Sequence, residues 1–492
     1  MRLSTFFLFF LTYFTTFAQQ PKPNVILIYV DDMGWGELGS YGQDKIKTPN
    51  LDQLAKEGMR FTQFYSSSPV CAPSRSSLMT GKHAGHSFIK GNYEYGKFDD
   101  DSEEGGQMPL PEGTFTIGKL MQNAGYATGA IGKWGLGFNG TSGHPNKMGF
   151  DYFYGYLDQK HAHNFYTTHL WENDQKVLLQ NPLIQVHTKI PENSPDSTFD
   201  QFIGKEYSVT KMADKAAAFI TKHKQKPFFL YLPYTGPHVS LQAPKEAIAE
   251  YIGQFNDKPY YGQNGYVPSK YPRATYAAMI SYLDKQVGKL MDQLKKEGLD
   301  KNTLVLFTSD NGTSAEGGVD PSYFNLTAGL RGLKRDLYEG GIRVPFIARW
   351  PGKIAPNKIS SLNAVQFDLM ATLAEITKTK APKNDGISFL PELIGKSQQQ
   401  AKHPYIYFEF AEKSGQVAVR MGNLKAIKSN MKKDKNAEWE LFDLSIDREE
   451  KHNIIEKHLD LIPKFEAIVK KEHQIATIKE WEFINPKFFI QK

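Results

Sequence analysis

Only one cysteine, Cys71, stands among the 492 residues, so the chain has no internal disulfide to hold it. Small exported domains lean on such bridges, whereas a chain of this length buries enough apolar surface to do without them. Beyond the first residues no apolar run is long enough to cross a bilayer. Charge of one sign is also scarce: 59 Lys and Arg against 53 Asp and Glu leave a net +6. No dense basic tract or nucleic-acid motif accompanies that excess, so a nucleic-acid partner is not expected. The excess would favour polyanions by long-range attraction, although many proteins with no anionic partner carry as much. Repeat arrays and long low-complexity tracts are absent too.

What is there begins with Arg2, the apolar run from Thr5 to Phe17 and the small residue Ala18. This is the pattern of a secretory signal peptide, residues 1–18, cleaved after Ala18. The run is short for a transmembrane helix, and a retained N-terminal anchor is the alternative. The mature chain is expected to be exported, to the periplasm, the cell surface or the medium, with no membrane span after cleavage.

Four apolar runs share one design, each ending abruptly in polar residues: Val25 to Val30 before Asp31-Asp32, Tyr126 to Ile131 before Gly132-Lys133, Phe228 to Leu232 before His238, and Leu304 to Thr308 before Asp310-Asn311. Such runs suit strands buried on both faces. Helical patterns at 50–57, 116–124, 209–223, 274–296 and 365–375 alternate with them, which predicts an α/β fold: a mixed, largely parallel sheet flanked by helices. In such a sheet, groups just past the carboxyl ends of neighbouring strands converge on one crevice. Residues 253–272 and 172–202 read as irregular insertions, the second shaping an entrance. A polar run from Lys396 to Gln400 divides a domain at 19–395 from a smaller one at 396–492. There, short strands at 405–410, 416–421, 424–428 and 439–442 and a helix at 459–471 predict a small antiparallel sheet.

The cysteine itself lies in Ser68-Pro69-Val70-Cys71-Ala72-Pro73-Ser74-Arg75-Ser76. A lone cysteine is ordinarily a buried, inert thiol. Here a helix starting near Ser74, with Arg75, would favour an anion beside position 71. Asp31, Asp32, Asp310 and Asn311 supply oxygen ligands without His or Cys, which suit Ca²⁺ or Mg²⁺. Taken singly, such residues equally well close turns or cap helices.

Cys71-Ala72-Pro73-Ser74-Arg75, followed by Ser76-Ser77-Leu78-Met79-Thr80-Gly81, resembles the signature of the type I sulfatases, whose cysteine a maturing enzyme oxidises to formylglycine. The resemblance extends over nearly the whole chain and implies an alkaline-phosphatase-like fold. It implies a metal, usually calcium with Mg²⁺ possible, held by Asp31, Asp32, Asp310, Asn311 and the modified residue 71. Gly132-Lys133-Trp134-Gly135-Leu136-Gly137 and the segment Arg331 to Pro345 match the family's two lysine motifs, which assigns Lys133 and Lys334, with Arg75, to the sulfate. His238, in Tyr234-Thr235-Gly236-Pro237-His238, matches the histidine beside the ester oxygen, hence general-acid help to the departing alcohol. The family's histidine at position 135 is glycine here, and His83 or His86 is a candidate to replace it.

The segment Asp158 to Tyr166, with Trp171, mixes imidazoles, an amide and aromatics, and His161, His163 and Asn164 are candidate sugar contacts. With Gly85 to Asn92 and Glu316 to Pro321, it resembles exported bacterial sulfatases that degrade polysaccharides. A sulfated galactose or N-acetylgalactosamine unit is the expected substrate, and a formylglycine-generating enzyme the expected partner. Two competing readings stay open. One is a phosphomonoester or phosphonate hydrolase of the same superfamily, whose two-zinc members need His and Asp ligands not found here. The other is a glycan-binding homologue without activity.

Overall fold

The computed structural model describes residues 22–485 apart from Lys97, Asp99 and Glu103. The expected signal peptide lies outside the described residues. Ten strands form one sheet: β1 (Asn24–Val30), β2 (Met59–Phe61), β3 (Ala127–Lys133), β4 (Tyr152–Tyr156), β5 (His169–Glu172), β6 (Gln175–Leu178), β7 (Phe228–Leu232), β8 (Thr303–Ser309), β9 (Phe346–Arg349) and β10 (Lys358–Ser360). Their order is β10-β2-β9-β8-β1-β7-β3-β4-β5-β6. The middle five, β8-β1-β7-β3-β4, are mutually parallel, and antiparallel pairs flank them.

Alternation of side chains along β1 divides the interior in two. Ile26, Ile28 and Val30 face one core with the helices Ser208–His223 and Pro272–Lys296, through Met212, Ile220, Ile280 and Val287. Val25, Leu27 and Tyr29 face the other, with Leu78, Leu120 and Leu369 from helices on the opposite side. All seven residues of β1 are buried, as its uninterrupted apolar run requires. Among the described residues no helix is long and apolar enough to cross a membrane.

A second sheet of four antiparallel strands, β11 (Ile406–Phe410), β12 (Gln416–Met421), β13 (Leu424–Lys428) and β14 (Trp439–Asp443), stands near the C-terminus. Ile406, Phe408, Ala418 and Ile427 pack with Tyr65, Val70, Leu337 and Ile342 in one core. This sheet therefore backs the chain just before Cys71, at Val70, and just after Lys334, at Leu337.

Several local features differ from the sequence reading, among them the following. The cysteine helix spans Cys71–Thr80, starting three residues early, because Pro73 falls in its first turn, where the lost N–H has no intrahelical partner. Strand β4 was not anticipated: Tyr-Phe-Tyr-Gly-Tyr is aromatic and broken by glycine rather than a β-branched run. The region 172–202, read as irregular, opens with the hairpin of β5 and β6 and closes with a 3₁₀ turn at Asp196–Phe202.

Candidate active site

Parallel register brings the polar strand ends together. Val30 pairs with Ser309, so Asp31-Asp32 and Asp310-Asn311 leave the sheet side by side, although Asp32 and Asp310 are 278 residues apart. The backbone N–H of Asp32 donates to Asp310 Oδ1 at 3.1 Å. Lys133 is the last residue of β3, and His238 follows β7. Cys71 is the first residue of its helix, after the extended Val70, so the exposed N–H groups and positive end of the dipole lie beside it. Arg75 follows four residues on, over the same helix face.

Three cations and three carboxylates meet here, all buried. Lys133 Nζ donates to Asp31 Oδ2 at 2.6 Å. Lys334 Nζ donates to Asp32 Oδ2 at 2.8 Å and lies 3.0 Å from His238 Nε2. Arg75 grips Asp310 Oδ2 through Nε (3.2 Å) and Nη2 (2.8 Å), and its Nη1 donates to the carbonyl of Lys133 at 2.7 Å. The thiol of Cys71 lies 3.5 Å from Asp31 Oδ1. The groups do not titrate alike. Burial opposes ionisation of Asp31, but Lys133, His238 and Arg75 outweigh it and hold the carboxyl well below its usual range. Burial and the charge of Asp31 push Asp310 up to about 7. Burial, then the same carboxylate, raises the Cys71 thiol, so as a plain cysteine it is a poor thiolate nucleophile.

Asn311 carries the telling atom. Its amide NH₂ donates to Asp32 Oδ1 at 2.7 Å and to the Gly312 carbonyl at 2.9 Å, while its buried Oδ1 has no hydrogen-bond partner. An orphaned carbonyl oxygen beside three carboxylates is a donor set for a hard divalent cation. Asp31, Asp32, Cys71 and His238 each also present an atom within 4.8 Å of one another. His238 Nδ1 pairs with the Val239 carbonyl, which leaves Nε2 facing Lys334 and the crevice. Burial and the Lys334 charge lower its pKa.

The three proposed sugar contacts separate. His163 stacks on His238, with ring centres 5.0 Å apart and planes 11° apart. His161 and Asn164 are instead fully buried. His161 packs on Tyr156 and lies 3.2 Å from Glu104, while Asn164 Oδ1 accepts from Tyr166 N. Both side chains are thus held by neighbouring residues away from His238, unlike His163. His83 and His86 stack on each other and pair with Glu472 and Asp385. They are thereby engaged apart from the cysteine cluster, so the suggestion that one replaces a histidine at 135 gains no support. At Gly135, φ is +74°, and an added Cβ would fall 2.8 Å from the Gln159 side chain, which occupies that space. Tyr266 and His187, packed around His163, were missed because they sit in irregular chain far from any motif.

A signature cysteine, paired cations and oxygen ligands at the ends of parallel strands define a hydrolase of anionic esters, and the chain belongs to the sulfatase family, the sulfuric ester hydrolases. The family model "Sulfatase" matches residues 23–379, and "N-sulphoglucosamine sulphohydrolase, C-terminal" matches 332–476. The chain is 32% identical to N-acetylgalactosamine-6-sulfatase of Rattus norvegicus over 388 residues, 77% of this chain and 66% of that one. It is 29% identical to N-acetylgalactosamine-6-O-sulfatase of Bacteroides thetaiotaomicron over 511 residues, 91% of this chain and 93% of that one. The crystal structure of Ps i-CgsB, also solved in complex with k-i-k-neocarrahexaose, superposes with TM-score 0.72 at 29% identity and covers 94% of both chains.

Proposed function

We propose that the protein releases sulfate from a sulfated carbohydrate, with galactose or N-acetylgalactosamine as the sulfated unit, after oxidation of Cys71 to formylglycine by a maturing enzyme. One observation carries this reading: Cys71, three carboxylates with an orphaned amide oxygen, and three cations share a single buried cluster. The relatives that act on N-acetylgalactosamine sulfates support the choice of sugar. Export, with residues 1–18 as signal peptide and 19–395 and 396–492 as the two parts of the chain, belongs to the same proposal.

Asp31, Asp32, Asp310 and Asn311 would hold a divalent cation, calcium on the family resemblance. Bound there, that ion supplies positive charge that acidifies a neighbouring hydroxyl and offsets the charge of a sulfate. Once converted, residue 71 would carry a hydrated aldehyde whose hydroxyl is the nucleophile toward sulfur. The remaining work falls to side chains present in the structure. Lys133 and Lys334 supply ammonium groups to the sulfate oxygens in a site from which water is largely excluded, where each charge acts strongly. Arg75 fixes Asp310 and the end of β3 together. His238 donates its Nδ1–H to the Val239 carbonyl, so it protonates the departing alcohol through Nε2 only as the imidazolium, a form that burial and Lys334 disfavour and that the negative charge of an entering sulfate would favour.

The test is a matured protein assayed against 6-sulfated and 4-sulfated N-acetylgalactosamine and galactose, with phosphate esters as controls. Sulfate release with no phosphate release is expected, together with a Cys71 peptide about 18 Da lighter than the cysteine form, on replacing CH₂SH by CHO. An unconverted thiol in protein from its own host, or phosphate release alone, would overturn the reading.

A further inference from the structure

Beside the buried Lys334 stands a second cation to which the mechanism gives no task. Lys334 has a side chain 5% exposed, and that of Arg335 is 47% exposed. The backbone of Arg335 is fixed from two directions. Its N–H donates to the carbonyl of Pro69, two residues before Cys71, at 2.9 Å, and its carbonyl accepts from Gln416 Nε2 of the C-terminal sheet at 2.9 Å. It is held at φ +75°, a left-handed conformation that a bulky side chain adopts only when its surroundings impose it.

The guanidinium meets Glu316, with Nη1 to Oε1 at 3.2 Å, while Glu316 Oε2 accepts from the Tyr266 hydroxyl at 3.0 Å. Tyr266 is also left-handed, at φ +66°. Its ring lies 5.0 Å from that of His163, 5.2 Å from His187 and 6.1 Å from His238. One continuous wall of side chains thus runs from His238 in the crevice, through His163 and Tyr266, to Glu316 and Arg335 at the surface. Among the described residues the Arg335 side chain has no other hydrogen-bond or ion-pair partner than Glu316. A guanidinium carries five donors in a planar fork, so most of them remain for a planar or tetrahedral anion.

Resting on the sulfatase reading above, we propose that Arg335 binds a second anionic group of the substrate, a sulfate or carboxylate other than the one being hydrolysed, so that the site selects polyanionic carbohydrate. Lys334 faces the reacting group inside and Arg335 a neighbouring one at the mouth. Glu316 and Tyr266 orient the fork without saturating it. A charge-assisted contact of this kind, partly exposed, is worth about a tenfold preference.

The experiment uses the matured full-length protein and its Arg335→Ala and Arg335→Lys variants. Specificity constants are measured for a singly sulfated sugar, a doubly sulfated disaccharide and a disaccharide with one sulfate and one uronic carboxylate, with 4-nitrophenyl sulfate as the reference substrate. In Arg335→Ala, the ratio of the doubly anionic to the singly sulfated substrate should fall about tenfold, mostly through KM. Arg335→Lys should restore only part of it, since an ammonium lacks the fork. The substrate with the larger fall identifies the second group as sulfate or carboxylate. Because each ratio is taken within one protein, partial unfolding of a variant cancels. An unchanged ratio, or an equal loss on all four substrates, overturns this inference while leaving the sulfatase reading intact. A matured wild type that releases sulfate from none of them overturns both.

Discussion

Two clusters of buried charge, one at the strand ends and one against the C-terminal sheet, differ in what their oxygens face. In the crevice, Lys133, Lys334 and Arg75 meet Asp31, Asp32 and Asp310 at the ends of parallel strands, around a cysteine and an amide oxygen that lacks a donor. Behind it, Lys425 of the C-terminal sheet lies between Glu339 and Glu450 at 2.9 Å from each, and Glu339 also takes Tyr65 and Arg343. The second cluster sits between packed layers, where its charges bind chain to chain. The first stands just past the ends of parallel strands, around the cysteine and the orphaned amide oxygen. Burying charge is costly in both places, and on the reading proposed here only the first gains binding and chemistry in return.

The sharpest way to break this comparison is Cys71→Ala. Turnover should fall by about 10⁴-fold or more, with the melting temperature little changed, as measured by sulfate release and calorimetry. Near-normal turnover would mean the crevice is not the site. His238→Ala should come next, lowering kcat by about 10²- to 10⁴-fold on an alkyl sulfate and far less on 4-nitrophenyl sulfate, whose alcohol leaves without a proton. Equal losses would remove the general-acid role. Lys425→Met should do the reverse, costing about 3–5 kcal/mol of stability by stranding Glu339 and Glu450, while the folded fraction keeps its kcat. A denaturation curve and an active-site titration together check it.

The smallest effect concerns His473 behind the C-terminal sheet. Burial alone would lower its pKa, but Glu409 at 2.9 Å and Glu482 at 3.0 Å raise it to about 9. The folded value lies above the unfolded one of about 6.5, so the stabilisation is complete below that pH and is lost as pH rises through about 9. Wild type should lose about 1–3 °C of melting temperature across that window, and His473→Gln should flatten the change. An unaltered slope in the variant would assign the pH dependence to other groups.

How much was legible depended on how local the signal was. Strands β1, β7 and β8 were readable because each is a continuous apolar run stopped by polar residues, and the helices from their 3.6-residue period. Strand β4 and the pairing of β5 with β6 were not, since their neighbours rather than their composition make them strands. The candidate ligand residues were readable as oxygen donors, because Asp-Asp and Asp-Asn-Gly stand directly past strand runs. That His163 meets His238 while His161 and Asn164 turn inward was not readable, because a short 3₁₀ turn at His161–His163 sends adjacent residues to opposite sides. Nor was the Gln159 side chain filling the space at Gly135, which joins the ends of β3 and β4.

By itself, the order of residues settled which atoms are on offer: one thiol, hard oxygens, ammonium and guanidinium groups, and an imidazole, each beside an apolar run that must be buried. Only the tertiary structure decided which of them meet. Side-by-side parallel strands place residues hundreds of positions apart within hydrogen-bonding distance, whereas neighbours in a loop can point apart. Chemical identity is a property of each residue, but encounter depends on strand order and backbone direction, which no short stretch of chain contains.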